Sequence, residues 1–130
     1  MRHIALLMLL VGFAVTTAHA DVSVAKWHVW YGSPKTPEIR DEFTEFWVPT
    51  SDGTHKFTSG INHSSDPNDK LTADVTVTRR GQVLNISWQT HSSRLGKSWF
   101  VAPSHPLTIT SDSKFEGHLT GGDNIYGQKE

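Results

Sequence analysis

The stretch Leu71-Thr72-Ala73-Asp74-Val75-Thr76-Val77-Thr78-Arg79-Arg80-Gly81-Gln82-Val83-Leu84-Asn85-Ile86-Ser87-Trp88-Gln89-Thr90 decides the fold. In its first half Leu71, Ala73, Val75 and Val77 alternate with Thr72, Asp74, Thr76 and Thr78. In its second half Leu84, Ile86 and Trp88 alternate with Asn85, Ser87 and Gln89. A period of two sends successive side chains to opposite faces, so each half reads as a half-buried strand. Arg79-Arg80-Gly81-Gln82 supplies the turn. Both apolar rows must face one core. The reading therefore expects Val77 opposite Leu84, Val75 opposite Ile86, and Ala73 opposite Trp88. A loop with an odd number of residues would put Asn85 opposite Val75 on the core face.

Outward from this hairpin, further strands are expected at Val22 to Tyr31, Lys56 to Ile61, Ser98 to Ala102, Leu107 to Thr110 and Lys114 to Leu119. Turn-rich stretches separate them, among them Ser51-Asp52-Gly53 and Gly121-Gly122-Asp123-Asn124. A last strand at Ile125-Tyr126 is expected to pair back across that Gly-Gly turn. Short strands at this spacing indicate a mainly β, antiparallel domain, either a small barrel or a β-sandwich. One short helix is expected near the start of the mature chain. Thr36 suits an N-cap and Pro37 the first helical position, and Ile39, Phe43 and Phe46 fall on one helical face. A strand from Phe43 to Val48 is the competing reading.

The strand at Phe115-Glu116-Gly117, the Gly-rich turn after it and Ile125-Tyr126-Gly127 resemble the closing hairpin of small lipocalin-like barrels. The resemblance is one of fold, and implies a barrel without implying a ligand.

The first twenty residues read as a secretory signal. Arg2 provides the basic start, Ile4 to Val15 the apolar run, and Ala18-His19-Ala20 the small residues of a cleavage site. The apolar run falls short of the roughly 20 residues that span a bilayer. The expected product is therefore one antiparallel β domain, residues 21–130, released to the periplasm or secreted after cleavage near Ala20. No membrane span is expected.

Among all 130 residues there is no Cys, and both Met lie in the leader, so residues 21–130 contain no sulfur. Disulfides, thiolate metal sites and a Cys nucleophile are thereby excluded. A formal net charge of -1 gives no electrostatic footprint for nucleic acid.

Six histidines follow the leader: His28, His55, His63, His91, His105 and His118. None has the spacing of a zinc enzyme. His63 and His91 are the pair to watch for a metal, should their loops meet. Asp66-Pro67-Asn68-Asp69 offers oxygen ligands but lacks the alternation of an EF-hand loop. No G-x-S-x-G occurs, so the sequence nominates no catalytic residue and no cofactor.

Trp27, Trp30, Trp47, Trp88 and Trp99 are numerous for one small domain. Trp88 belongs to the core row. Trp27 and Trp30 differ by three, so an extended strand turns them to opposite faces. Trp27, Trp30, Tyr31 and Trp99 are the candidate ligand-binding residues. The function expected is that of an exported, non-enzymatic binding protein for a small apolar ligand or a protein partner. The alternatives are a carbohydrate-binding module using exposed Trp and a histidine-based metal protein or enzyme.

Overall fold

A computed structural model describes residues 22–63 and 66–130. The leader lies outside the described residues. The described chain forms ten strands: β1 (Val24–Gly32), β2 (Arg40–Phe43), β3 (Trp47–Pro49), β4 (Gly53–His63), β5 (Leu71–Arg80), β6 (Val83–Ser92), β7 (Lys97–Val101), β8 (Leu107–Thr108), β9 (Lys114–His118) and β10 (Asn124–Lys129). All pairings between them are antiparallel. The order across the sheet is β7-β6-β5-β4-β2-β1-β10-β9, with β3 also on β1 and β8 also on β6. The sheet curls into a half-barrel. Its two ends approach each other, where Pro103 bridges Leu119. The Ser104 amide donates to the His118 carbonyl at 2.8 Å, and the Thr120 amide to the Ala102 carbonyl at 3.2 Å.

The central hairpin forms with its apolar rows facing one interior, but two residues out of the expected register. Val77 pairs with Ile86, Val75 with Trp88 and Ala73 with Thr90. The strands run on through Arg79 and Arg80, and Arg80 pairs with Val83, leaving a two-residue turn of Gly81 and Gln82. Gly81 has φ of 59°, a conformation Gly adopts without the Cβ clash that an L side chain meets. Positive φ at the first turn residue alone is the pattern of a type II′ hairpin, whose twist matches that of the flanking strands. Arg79 holds the tip in place. It donates to the Pro49 carbonyl at 2.9 Å and to the Gly81 carbonyl at 2.7 Å. The Gly81 amide in turn donates to Asp52 at 2.7 Å. The loop length is even, as core parity demands, and Asn85 faces outward opposite Thr78.

The expected helix near Pro37 is absent. Its place is taken by one turn, in which the Ile39 amide donates to the Thr36 carbonyl at 2.9 Å, and then by β2. The supposed helical stripe breaks because Ile39 is 48% exposed while Phe43 and Phe46 are buried. Strand alternation accounts for the burial instead. Asp41 and Phe43 share a face with Tyr31 and Ile61, the residues beside them on β1 and β4. Backbone groups beyond β2 are also claimed by neighbours: the Thr44 amide by Gly60, and the Phe46 carbonyl by Trp27. A helix would forfeit these bonds and pull two aromatic rings out of the core.

That core is continuous and strongly aromatic. Trp88 packs against Tyr31 and Phe43 at ring-centre distances of 5.3 and 5.1 Å. Phe43 meets Phe46 edge-on at 5.1 Å, and Phe46 meets Phe57 at 5.2 Å. At the β9–β10 side Trp27 stacks on Phe115 at 5.4 Å. Each such side chain contributes roughly 1.5–3 kcal/mol by leaving water. Gly127 lies beneath Phe115, and a Cβ there would run into the ring. Below the mouth described next, the interior is filled by Trp88, Phe46, Leu84, Ile125 and Val29.

Candidate functional site at the mouth of the curled sheet

Antiparallel order sends four connections to the same end of the sheet. They are residues 33–39, the β4–β5 connection, 93–96 and 119–123. Among the last three of them lies a hollow of about 400 Å³, the mouth of the half-barrel. Leu95, Trp99, Phe100, Val101 and Leu119 supply its apolar wall, and Tyr31, Asp41, His63, Asp69, Arg94 and Asp123 its polar groups.

Strand parity places the key side chains. Thr90 is buried and points inward, so its β7 partner Trp99 also lies on the inner side, at the rim, where it is 40% exposed. Tyr31 is the last inward residue of β1 before the turn, opposite Asp41 of β2, which pairs in turn with His63 of β4. His63 Nδ1 donates to Asp41 Oδ1 at 2.8 Å. Burial pushes the Tyr31 phenol far above its ordinary range. The negative charges of nearby Asp41 and Asp123 act in the same direction. Tyr31 is thus a permanently protonated donor at physiological pH.

The rim on the other side of the hollow is braced. Ser92 donates to both carboxylate oxygens of buried Asp69 at 2.9 Å, and the Arg94 amide donates to Asp69 at 3.3 Å. Arg94 also pairs with Asp66 at 2.5 Å. These bonds occupy the oxygen atoms that a calcium ion would need in the Asp66–Asp69 segment. Nothing in the sequence announced this brace, because its partners are separated by more than twenty residues.

The four candidate ligand-binding residues do not converge on one point. Tyr31 and Trp99 both line the mouth. Trp27 is buried in the core against Phe115. Trp30 lies on the outer face, opposite in direction to Trp27, as their spacing requires. Its ring lies between Tyr126 of β10, at 5.7 Å, and the guanidinium of Arg40 on β2, at 5.1 Å. Strand order puts these two on opposite sides of β1, and Trp30 and Tyr126 together line a second hollow of about 380 Å³ on the outer face, apart from the mouth.

His63 and His91 are held apart by β5, which stands between the strands that carry them. Each pairs with a carboxylate of its own, Asp41 and Asp74 respectively. Among the described residues there is no group of three or more His, Asp or Glu that could hold a metal ion. No described helix is long and apolar enough to cross a membrane.

The mouth can therefore do one thing chemically without further parts. It can seat a small molecule against Trp99, Leu95 and Phe100 while Tyr31, His63, Arg94 and the carboxylates orient a polar end. Its lining residues come from strand ends and from three separate connections, which is why Tyr31 and Trp99 were the only ligand-binding candidates among them. No protein-family model matches the chain, and no significant match is found among curated proteins or solved structures.

Proposed function

We propose that the chain is an exported binding protein that holds a small, largely apolar ligand in the mouth of a small β-barrel. The observation that carries this reading is the meeting of Tyr31 and Trp99 in one hollow of about 400 Å³, with aliphatic and aromatic walls and a few convergent polar groups. Concave, mostly apolar hollows with few polar groups are the usual form of small-molecule sites. Export is supported by the leader at residues 1–20. The barrel reading, in preference to a sandwich, is supported by the meeting of the sheet's two ends at Pro103 and Leu119. Since the interior below is filled, the ligand sits at the rim and does not enter the core.

The test is titration with the neutral fluorescent probe N-phenyl-1-naphthylamine. The expected result is saturable one-to-one binding, weakened about tenfold by Trp99→Ala, the loss that follows from removing one large apolar contact. Fluorescence that fails to saturate, or that is indifferent to Trp99→Ala, would overturn the proposal.

A further inference from the structure

We propose that Ser98, His91 and Asp74, on the outer face of the sheet, form a nucleophile, base and carboxylate chain that hydrolyses small esters. The three residues come from adjacent strands β7, β6 and β5. His91 stands directly opposite Ser98, and Asp74 lies one diagonal step away, opposite Gln89. Ser98 Oγ is 2.6 Å from His91 Nδ1, and His91 Nε2 is 2.9 Å from Asp74 Oδ2. The other oxygen of Asp74 accepts from the Thr58 hydroxyl at 2.9 Å. An ionised carboxylate only accepts, so Nε2 carries the proton and Nδ1 is left to accept from the Ser98 hydroxyl. This is the order of roles by which a serine is activated, and such constellations are recognised by geometry and role in whatever fold carries them.

Two neighbouring features suit an ester. Phe100 lies two residues along β7 on the same face as Ser98 and is 66% exposed, an apolar seat for an acyl chain. Strand β7 is the end of the sheet, so its outer backbone amides are open to donate to a developing oxyanion. Trp99 and Ser98 project to opposite sides of β7, so the two sites share only Phe100, whose ring also lines the mouth.

In the first step Ser98 Oγ attacks the ester carbonyl carbon while its proton passes to His91 Nδ1. The tetrahedral adduct collapses, the acyl C–O bond breaks, and the alcohol leaves with that proton. Water then attacks the acyl-serine and gives a proton to His91. Ser98 departs as the hydroxyl by taking that proton back, and the carboxylic acid is released. Ser98 and His91 are the catalytic residues, and Asp74 is a positioning residue that acts through His91.

The test uses p-nitrophenyl butyrate with the purified protein. The expected result is an initial burst of about one p-nitrophenol per chain, the kinetic mark of an acyl-enzyme. Ser98→Ala abolishes the burst and slows turnover about 100-fold, and His91→Gln does likewise. Asp74→Asn lowers kcat about tenfold or more and leaves KM nearly unchanged. A fluorophosphonate probe attaches to Ser98, read by peptide mass spectrometry. All three side chains are at the surface, so the variants fold. If Ser98→Ala hydrolyses the ester as fast as the parent, catalysis belongs to free imidazole or to nothing specific, and the proposal fails. It fails equally if the probe labels another residue or none.

Discussion

Asp41 accepts a hydrogen bond from His63 Nδ1 at 2.8 Å and stands opposite buried Tyr31 in the β1–β2 ladder, so one carboxylate sits where β1, β2 and β4 meet at the mouth. The phenol's ordinary pKa is 10.0, and burial together with Asp41 and Asp123 raises it in the folded state. Above that ordinary value the unfolded chain loses the phenolic proton while the folded chain keeps it, so stability falls as pH rises. The slope from this group is about 1.4 kcal/mol per pH unit. Chemical denaturation between pH 8 and 11.5 is expected to show a steep alkaline loss that Tyr31→Phe makes shallower. An unchanged slope in the variant would mean that Tyr31 is not the group responsible.

At the acid end the relevant group is Glu42. Its hydrogen bond from His28, and then the hydrogen bond and the charge of Arg40, hold the carboxyl below its ordinary value of 4.5 despite partial burial. A depressed carboxylate contributes stability that is present at neutral pH and lost as pH falls through its folded-state value. Melting temperature followed from pH 6 to 2.5 is expected to fall less steeply below about pH 4.5 in Glu42→Gln than in the parent.

The replacement of the expected helix by β2 makes opposite predictions for two residues of the supposed stripe. Phe46 is fully buried among Phe43 and Phe57, and Phe46→Ala is expected to cost about 3–5 kcal/mol. Ile39→Ala, at an exposed position, is expected to stay within about 0.5 kcal/mol. Urea denaturation of the two variants decides it. Comparable losses would restore the helix.

Adjacent arginines at the hairpin tip are expected to differ as well. Arg79 binds the Pro49 and Gly81 carbonyls and Gln82, whereas Arg80 is exposed at the end of its strand. Arg79→Ala is expected to destabilise by about 1–3 kcal/mol, since it strands a part-buried carbonyl and frees the turn. Arg80→Ala is expected to lie within about 0.5 kcal/mol, again by urea denaturation.

Strict alternation made the hairpin legible, because only one parity buries Val75, Val77, Ile86 and Trp88 together. Spacing likewise sufficed to send Trp27 and Trp30 to opposite faces. Parity does not count residues, however, and the choice between a two-residue and a four-residue turn rests on Gly81 and on the bonds of Arg79, which tie it to residues far away in sequence. That choice has a chemical result. Only the observed register sets His91 within reach of Asp74. The helix near Pro37 was misread because Ile39, Phe43 and Phe46 satisfy a helical period by accident, while the bonds that decide the matter come from β1 and β4. The mouth was illegible for the same reason, since its walls are brought together by topology.

Across most of its width the curled sheet is stitched by continuous ladders. At residues 102–104 against 118–120 the stitching thins to one bridge, made by two backbone bonds, and one bond from the Ser104 hydroxyl. A curved wall with one weak line yields there first. Amide exchange at Ser104 and Thr120 is therefore expected to outpace exchange in the β4–β5–β6 ladder.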